Sequence, residues 1–248
     1  MTRSNRHVVV NADDFGVSEV VNDAIFDAHD RGVVSSTTLL VGGPAVQHAL
    51  EGAAARPALG VGLHLDTSEF GPLSASFARV RESDPSLDLR RKIPVLPSLA
   101  RAVADEWNAQ IQRAAELGVE LTHIDSHHFD HVNPMLIGSL AKVMRSAKLG
   151  KVRGMHNLWV DKPSRAVTAV KSAHRLALGR LGLGTTDFMC DVTTYLTLAD
   201  QNRLPISGSI EVMAHPGHLN YAVETERLLV DGHDVFGDEL VNWSEIVR

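Results

Sequence analysis

His7-Val8-Val9-Val10-Asn11-Ala12-Asp13-Asp14-Phe15-Gly16 is the stretch that sets the architecture. Its first half is a compact apolar run of the kind found in the buried strands of a parallel sheet. It ends in two adjacent carboxylates, Asp13 and Asp14. Taken alone, the pair is equally well explained as turn and cap residues, with Ser18 capping the next helix. From Glu19 the apolar positions Val20, Val21, Ala24, Ile25 and Ala28 recur at helical spacing, and Gly32 stops the helix. Strand, loop and helix follow one another, and the pattern then repeats.

Residues 35–41 form the second predicted strand, Gly42-Gly43-Pro44 the turn, and 45–56 a helix with Val46, Ala49, Leu50 and Ala53 on its apolar face. The third strand, 61–65, carries His64 near its carboxyl end; a lone histidine in an apolar strand is as a rule a core residue. Between residues 67 and 97 the periodicity fails among four prolines, which predicts a long loop or insertion near the site. A helix over 98–117 shows Leu99, Val103, Trp107, Ile111 and Ala114 on one face and stops at Gly118.

The next strand, 121–125, opens Thr122-His123-Ile124-Asp125-Ser126-His127-His128-Phe129-Asp130-His131. Period two puts His123, Asp125 and His127 towards one face. Imidazoles mixed with carboxylates at a strand end suggest a divalent ion used as a Lewis acid. Beyond a helix over 134–148, Val152-Arg153 opens a short strand whose Arg153 points into the site or to water. Residues 162–180 read as a basic amphipathic stretch, with Arg165, Lys171, His174, Arg175 and Arg180 opposite Val167, Val170, Leu176 and Leu178; most such basic faces are merely solvated. Residues 179–188 read as a loop reaching back towards the sheet. The last clear strand, 209–214, ends in His215-Pro216-Gly217-His218, where Pro216 biases His215 to an extended backbone. A helix-like 224–230 closes the chain.

The bulk numbers narrow the classes. A chain of 248 residues with 44% hydrophobic content can bury a sizeable core. Its net charge of −6 argues against a phosphate-tracking nucleic-acid binder. The lone Cys190 excludes an internal disulfide, and no segment has transmembrane length or a signal-peptide plan, so the expectation is a cytoplasmic protein. No repeat and no shift in composition divides residues 1–248, which predicts a single domain.

Strands alternating with helices favour an α/β fold with a parallel sheet, either a barrel or a doubly wound sheet, and functional groups gather at the carboxyl ends of such strands. Four strand ends here supply titratable groups. Asn11-Ala12-Asp13-Asp14-Phe15-Gly16, Gly62-Leu63-His64-Leu65, Thr122-His123-Ile124-Asp125-Ser126-His127-His128 and His215-Pro216-Gly217 together resemble the YdjC-like carbohydrate deacetylases, in the same order over residues 7 to about 218. The resemblance implies a single-domain distorted TIM-like (β/α) barrel acting on a small acetylated sugar. It implies one divalent metal ion, zinc or magnesium, on Asp14, His64 and His127, with Asp13 as catalytic base and His215 as proton donor. It also suggests a homodimer. Asp125 is then placed to orient a ligand histidine, and His123, His128, His131 and Arg153 are left as supporting or substrate-facing residues. Phe129 stands where the family commonly continues its histidine run, so the outer rim differs and chitooligosaccharide specificity does not carry over.

The chemistry agrees with those roles. An acetamide is a poor electrophile and water a poor nucleophile, and a divalent ion addresses both. Three protein ligands leave positions open for water and substrate, whereas a fourth would close the site. Two rival readings share these residues. One is a metal-dependent hydrolase of another amide, ester or phosphoester; phosphoester chemistry usually needs a second metal about 3.5–4 Å from the first. The other is a non-catalytic sugar-binding or metal-binding barrel, against which Asp13 and His215 speak, because metal binding needs neither.

Overall fold

A computed structural model describes residues 5–246 of the chain. The strand β1 (Asn5–Phe15) lies at the centre of the sheet, between β2 (Ser36–Leu39) and β6 (Ser207–Ala214). With β3 (Gly60–Leu65), β4 (Ile124–Ser126) and β5 (Phe188–Asp191), the strands run in the order β4-β3-β2-β1-β6-β5, every neighbouring pair parallel. Parallel strands need crossovers, and α1 (Glu19–Asp30), α2 (Val46–Ala54), α4 (Pro97–Glu116) and α5 (Ile137–Ser146) fall in those connections. Past the β4 edge, single bridges join Ile124 to Val152 and Lys151 to Gly184. The result is a curled half-barrel, and this is the distortion from the TIM pattern.

The pleat divides β1 into two faces. Val8, Val10 and Ala12 enter the main core, packed with residues such as Ile25, Leu39 and Leu63. Val9 faces the other way, against Trp243 and Ile246, and Asn11 and Asp13 follow it at period two. The inner face is therefore polar above an apolar floor. The closing segment makes that floor: Val241 N donates to Val8 O at 2.8 Å, and Lys151 Nζ donates to Trp243 O and Ser244 O, each at 2.8 Å. His123 stacks on Trp243 with ring centroids 4.7 Å apart. Gly62 makes room for it, since a Cβ there would sit 2.5 Å from His123 Cε1.

Local chemistry explains the element ends. Ser18 Oγ accepts from Val21 N at 3.2 Å, the expected cap of α1. The stretch 67–97 departs from its reading as irregular chain, because it contains α3 (Ala75–Ser83), capped by Ser74 and anchored by the fully buried Phe77. Its entry is also tied down. Asp66 accepts backbone N–H groups from Ser68, Glu69 and Phe70, and Glu106 of α4 accepts from Leu73 and Ser74.

Four further differences concern the second half. The strand predicted over 121–125 shortens to β4, although Thr122 N still reaches Val61 O at 2.9 Å. The helix α6 (Arg165–Arg180) buries His174 and Leu178 and exposes Val167, Val170 and Leu176. Leu176 is two residues from Leu178 and so lies on the other side of the helix; the predicted apolar face merged two sides. Within the predicted loop, Phe188 begins β5, and α7 (Val192–Asp200) follows, capped by Asp191, which accepts from Thr194 N at 2.7 Å. Finally α8 (Ala222–Phe236) is longer than the segment read from sequence. No helix among the described residues is long and apolar enough to cross a membrane.

Candidate functional site

A cavity of about 400 Å³ opens at the carboxyl ends of the strands, with Asp13, Asp14, His64, His127, His215 and His218 in its wall. A larger one, about 710 Å³, lies where β3 and β4 begin, among Leu59, Gly60, Thr122 and Lys151. It gathers no imidazole, so the smaller cavity is the candidate site.

Asp14 is at the centre. Its backbone is left-handed, with φ 66°, which breaks the strand alternation and keeps both neighbouring carboxylates at the cavity. One oxygen, Oδ1, lies 3.3 Å from His64 Nε2 and 3.0 Å from His127 Nδ1, and Oδ2 lies 3.1 Å from His218 Nε2. Ligand atoms of Asp14, His64 and His127 all fall within 4.8 Å of one another, a spacing that could hold a metal ion. Burial pushes the Asp14 carboxyl up, but the three imidazoles around it outweigh this and hold the group far below the usual carboxylate range. His64 is backed on its other side, where Nδ1 meets Asp125 Oδ1 at 2.6 Å. Thr38 Oγ1 donates to Asp125 Oδ2 at 3.1 Å, fixing that carboxylate in turn. Such carboxylate–imidazole pairs orient metal-binding histidines.

Asp13 has a different environment. Arg153 grips it with two bonds of 2.6 Å, and Asn11 Nδ2 donates to Oδ1 at 2.9 Å. Burial raises this carboxyl, yet the Arg153 charge prevails and brings it down to about 2. Arg153 does not point to water: it is fully buried and also pairs with Asp125 Oδ2 and Glu211 Oε1, each at 2.7 Å. Glu211, buried and sharing that one cation, is pushed up to about 7.

His215 faces Asp13 from β6, with Nε2 3.9 Å from Asp13 Oδ2. Burial lowers its basicity, but Glu224 and the Asp13 charge more than offset this, and the net shift is upward. His127 is followed by two residues with left-handed backbones, His128 (φ 60°) and Phe129 (φ 62°). These bend the chain sharply, place the His128 ring 4.0 Å from that of His127, and put Phe129 in the cavity wall.

The structure brings together Asp13, Asp14, His64, His127 and His215, with His128 beside them and Asp125 and Arg153 directly beneath. Two of the sequence candidates stand apart. His123 is buried against Trp243, where burial and the Arg153 charge hold it neutral. His131 lies between Ser126 Oγ (2.6 Å) and Arg153 O (3.1 Å), and burial brings it down to about 3. It is a structural strut beneath the Arg153 backbone. The sequence reading missed His218, Glu211, Glu224 and Tyr221. Glu211 had a local signal, a carboxylate between the apolar Ile210 and Val212; His218 had only its place three residues after His215.

A half-barrel of parallel strands with an aspartate–histidine pocket at their carboxyl ends defines an α/β protein with a candidate metal centre. The chain belongs to the YdjC-like protein family, whose model matches residues 7–235. A carbohydrate deacetylase of Halalkalibacterium halodurans is 29% identical over 234 residues, 91% of each chain. Another, from Vibrio campbellii, is 38% identical over 145 residues, but that match spans only 55% of this chain and 54% of the relative. Among solved structures, a protein of Enterococcus faecalis V583, whose name proposes cellobiose-phosphate cleavage, superposes with a TM-score of 0.74. It is 25% identical, and the match covers 99% of this chain and 100% of that one.

Proposed function

We propose that the protein is a metal-dependent hydrolase that removes an N-acetyl group from an acetylated amino sugar. The observation that carries this reading is the convergence of Asp14, His64 and His127 within 4.8 Å, with Asp13 and His215 beside them. An aspartate and two histidines form a three-ligand set of the open, catalytic kind, fit for zinc, or for magnesium with added waters. A divalent ion held there supplies Lewis acidity, which polarises the acetamide carbonyl and makes water easier to deprotonate.

The chain's own groups do the rest. Asp13, kept ionised and oriented by Arg153, accepts the proton of the water whose oxygen bonds to the carbonyl carbon. His215, whose proton affinity is raised, donates from Nε2 to the nitrogen as the C–N bond breaks, so the sugar leaves as a neutral amine. Acetate is the other product.

The phosphoester rival has one specific feature in its favour: ligand atoms of Glu69, His127 and His128 also lie within 4.8 Å of one another. That group shares His127 with the first, so two ions would have to divide one imidazole. Metal content per chain separates the readings, near one for the deacetylase and near two for the rival.

The direct test incubates the metal-loaded protein with N-acetylglucosamine oligomers and measures released acetate. Wild type is expected to release it, Asp13→Asn to lose about a hundredfold or more in rate while retaining metal, and Asp14→Asn to lose the metal. Absence of release from every acetylated sugar tried, with metal bound, sinks the reading.

A further inference from the structure

His215 meets a carboxylate on each side of its ring. Nε2 faces the pocket, and Nδ1 is buried without a hydrogen bond, 3.6 Å from Glu224 Oε1. The same Glu224 oxygen accepts the backbone N–H of His215 at 2.9 Å. The main chain therefore fixes the carboxylate whatever the ring does. Glu224 lies in the first turn of α8, where the helix dipole favours negative charge. Tyr221 stacks on the ring at 4.2 Å and 18°, which restrains its rotation. Gly217, with φ 81° and no room for a Cβ against Ala24 and Val21, lets the turn pass close to α1 on its way back over His215.

Resting on the deacetylase reading, we propose that Glu224 is a positioning residue for the proton donor. It directs Nδ1–H of His215 towards itself and Nε2–H towards the departing nitrogen. A neutral imidazole with its single proton on Nδ1 cannot donate from Nε2; a carboxylate at Nδ1 favours the doubly protonated ring. After Nε2 gives its proton to the amine, the ring is left neutral with its remaining proton facing Glu224. A separation of 3.6 Å is longer than a hydrogen bond, and catalytic contacts often tighten only when substrate is bound. The other groups facing the ring are Asp13, Asp14, His218 and Tyr221. Asp13 is committed to Arg153, whereas no lysine or arginine pairs with Glu224 among the described residues.

Glu224→Gln keeps an oxygen for the backbone N–H and removes the charge, so it separates the two roles. In the metal-loaded protein, kcat is expected to fall roughly tenfold to a hundredfold, with KM and metal affinity unchanged. The basic limb of the kcat–pH profile should move to lower pH. An NMR titration of the His215 ring, assigned with His215→Gln, should show a lower midpoint in Glu224→Gln than in wild type. Glu224→Asp should restore part of the loss, and Glu226→Gln, exposed on the same helix, should change nothing. An unchanged ring midpoint, or a loss of rate matched by loss of Tm or of metal, overturns the proposal. Should wild type release no acetate, the deacetylase reading fails while the ring titration still decides Glu224.

Discussion

Asp13 and Asp14 are neighbours in sequence with different surroundings, and their partners separate them. Three imidazoles surround Asp14, whereas a guanidinium holds Asp13. A carboxylate among imidazoles is a set of metal-ligand type; one clamped by arginine stays ionised and fixed in direction. Arg153 is thus the residue on which the polar interior turns, one cation among Asp13, Asp125 and Glu211. Removing one partner of a buried ionic cluster leaves uncompensated charge. Arg153→Met is expected to cost about 3–5 kcal/mol of stability, measured by urea unfolding of the metal-free protein; a loss under 1 kcal/mol, on the scale of exposed pairs, contradicts the assignment. This role was not legible in the sequence. The partners of Arg153 arrive from β1, β4 and β6, so no local spacing marks it, while Asp14, His64 and His127 each sit at the end of a readable strand.

The legible elements were those whose pattern is local. β1, β3 and β6 show apolar runs, β2 a β-branched run that leads into aliphatic residues before Gly42-Gly43-Pro44, and α1 and α4 show long helical periods with glycine stops. The illegible ones depend on tertiary contacts. β5 has four residues and no alternation of its own, and it is a strand because β6 offers an open edge. α3 has one fully buried residue, Phe77, too few to set a period among prolines. The same dependence shows in β3, where Gly62 leaves the space that His123 fills. Gly62→Ala would drive a methyl to 2.5 Å from the His123 ring. Overpacking of this kind costs roughly 1–3 kcal/mol. The expected result is a lowered Tm with altered Trp243 fluorescence as the stack opens; an unchanged Tm would show that the floor yields freely.

At the scale of the molecule, the stretch 67–97 has to be fastened to the segment that follows β4, and Asp130 contributes to this. Thr67 Oγ1 donates to the Asp130 carboxylate, and nearby Asn133 Nδ2 donates to Leu89 O at 2.6 Å. Burial pushes the Asp130 carboxyl up; the Thr67 bond opposes this, the charges of Asp88 and Asp66 add to it, and the value rises from 3.8 to about 6. The folded chain thus holds a proton that the unfolded chain has released between these limits. A raised carboxyl stabilises the fold fully below pH 3.8 and loses that contribution as pH rises to about 6. The shift corresponds to about 3 kcal/mol. Asparagine cannot titrate, so the stability difference between wild type and Asp130→Asn should move against wild type by about 2 kcal/mol between pH 4 and pH 6, the larger part of the whole shift, and stay level above pH 7. Urea unfolding of both proteins across this range measures it. A difference that is constant with pH would mean that Asp130 titrates alike folded and unfolded, and that the stretch 67–97 is held by packing and main-chain bonds instead.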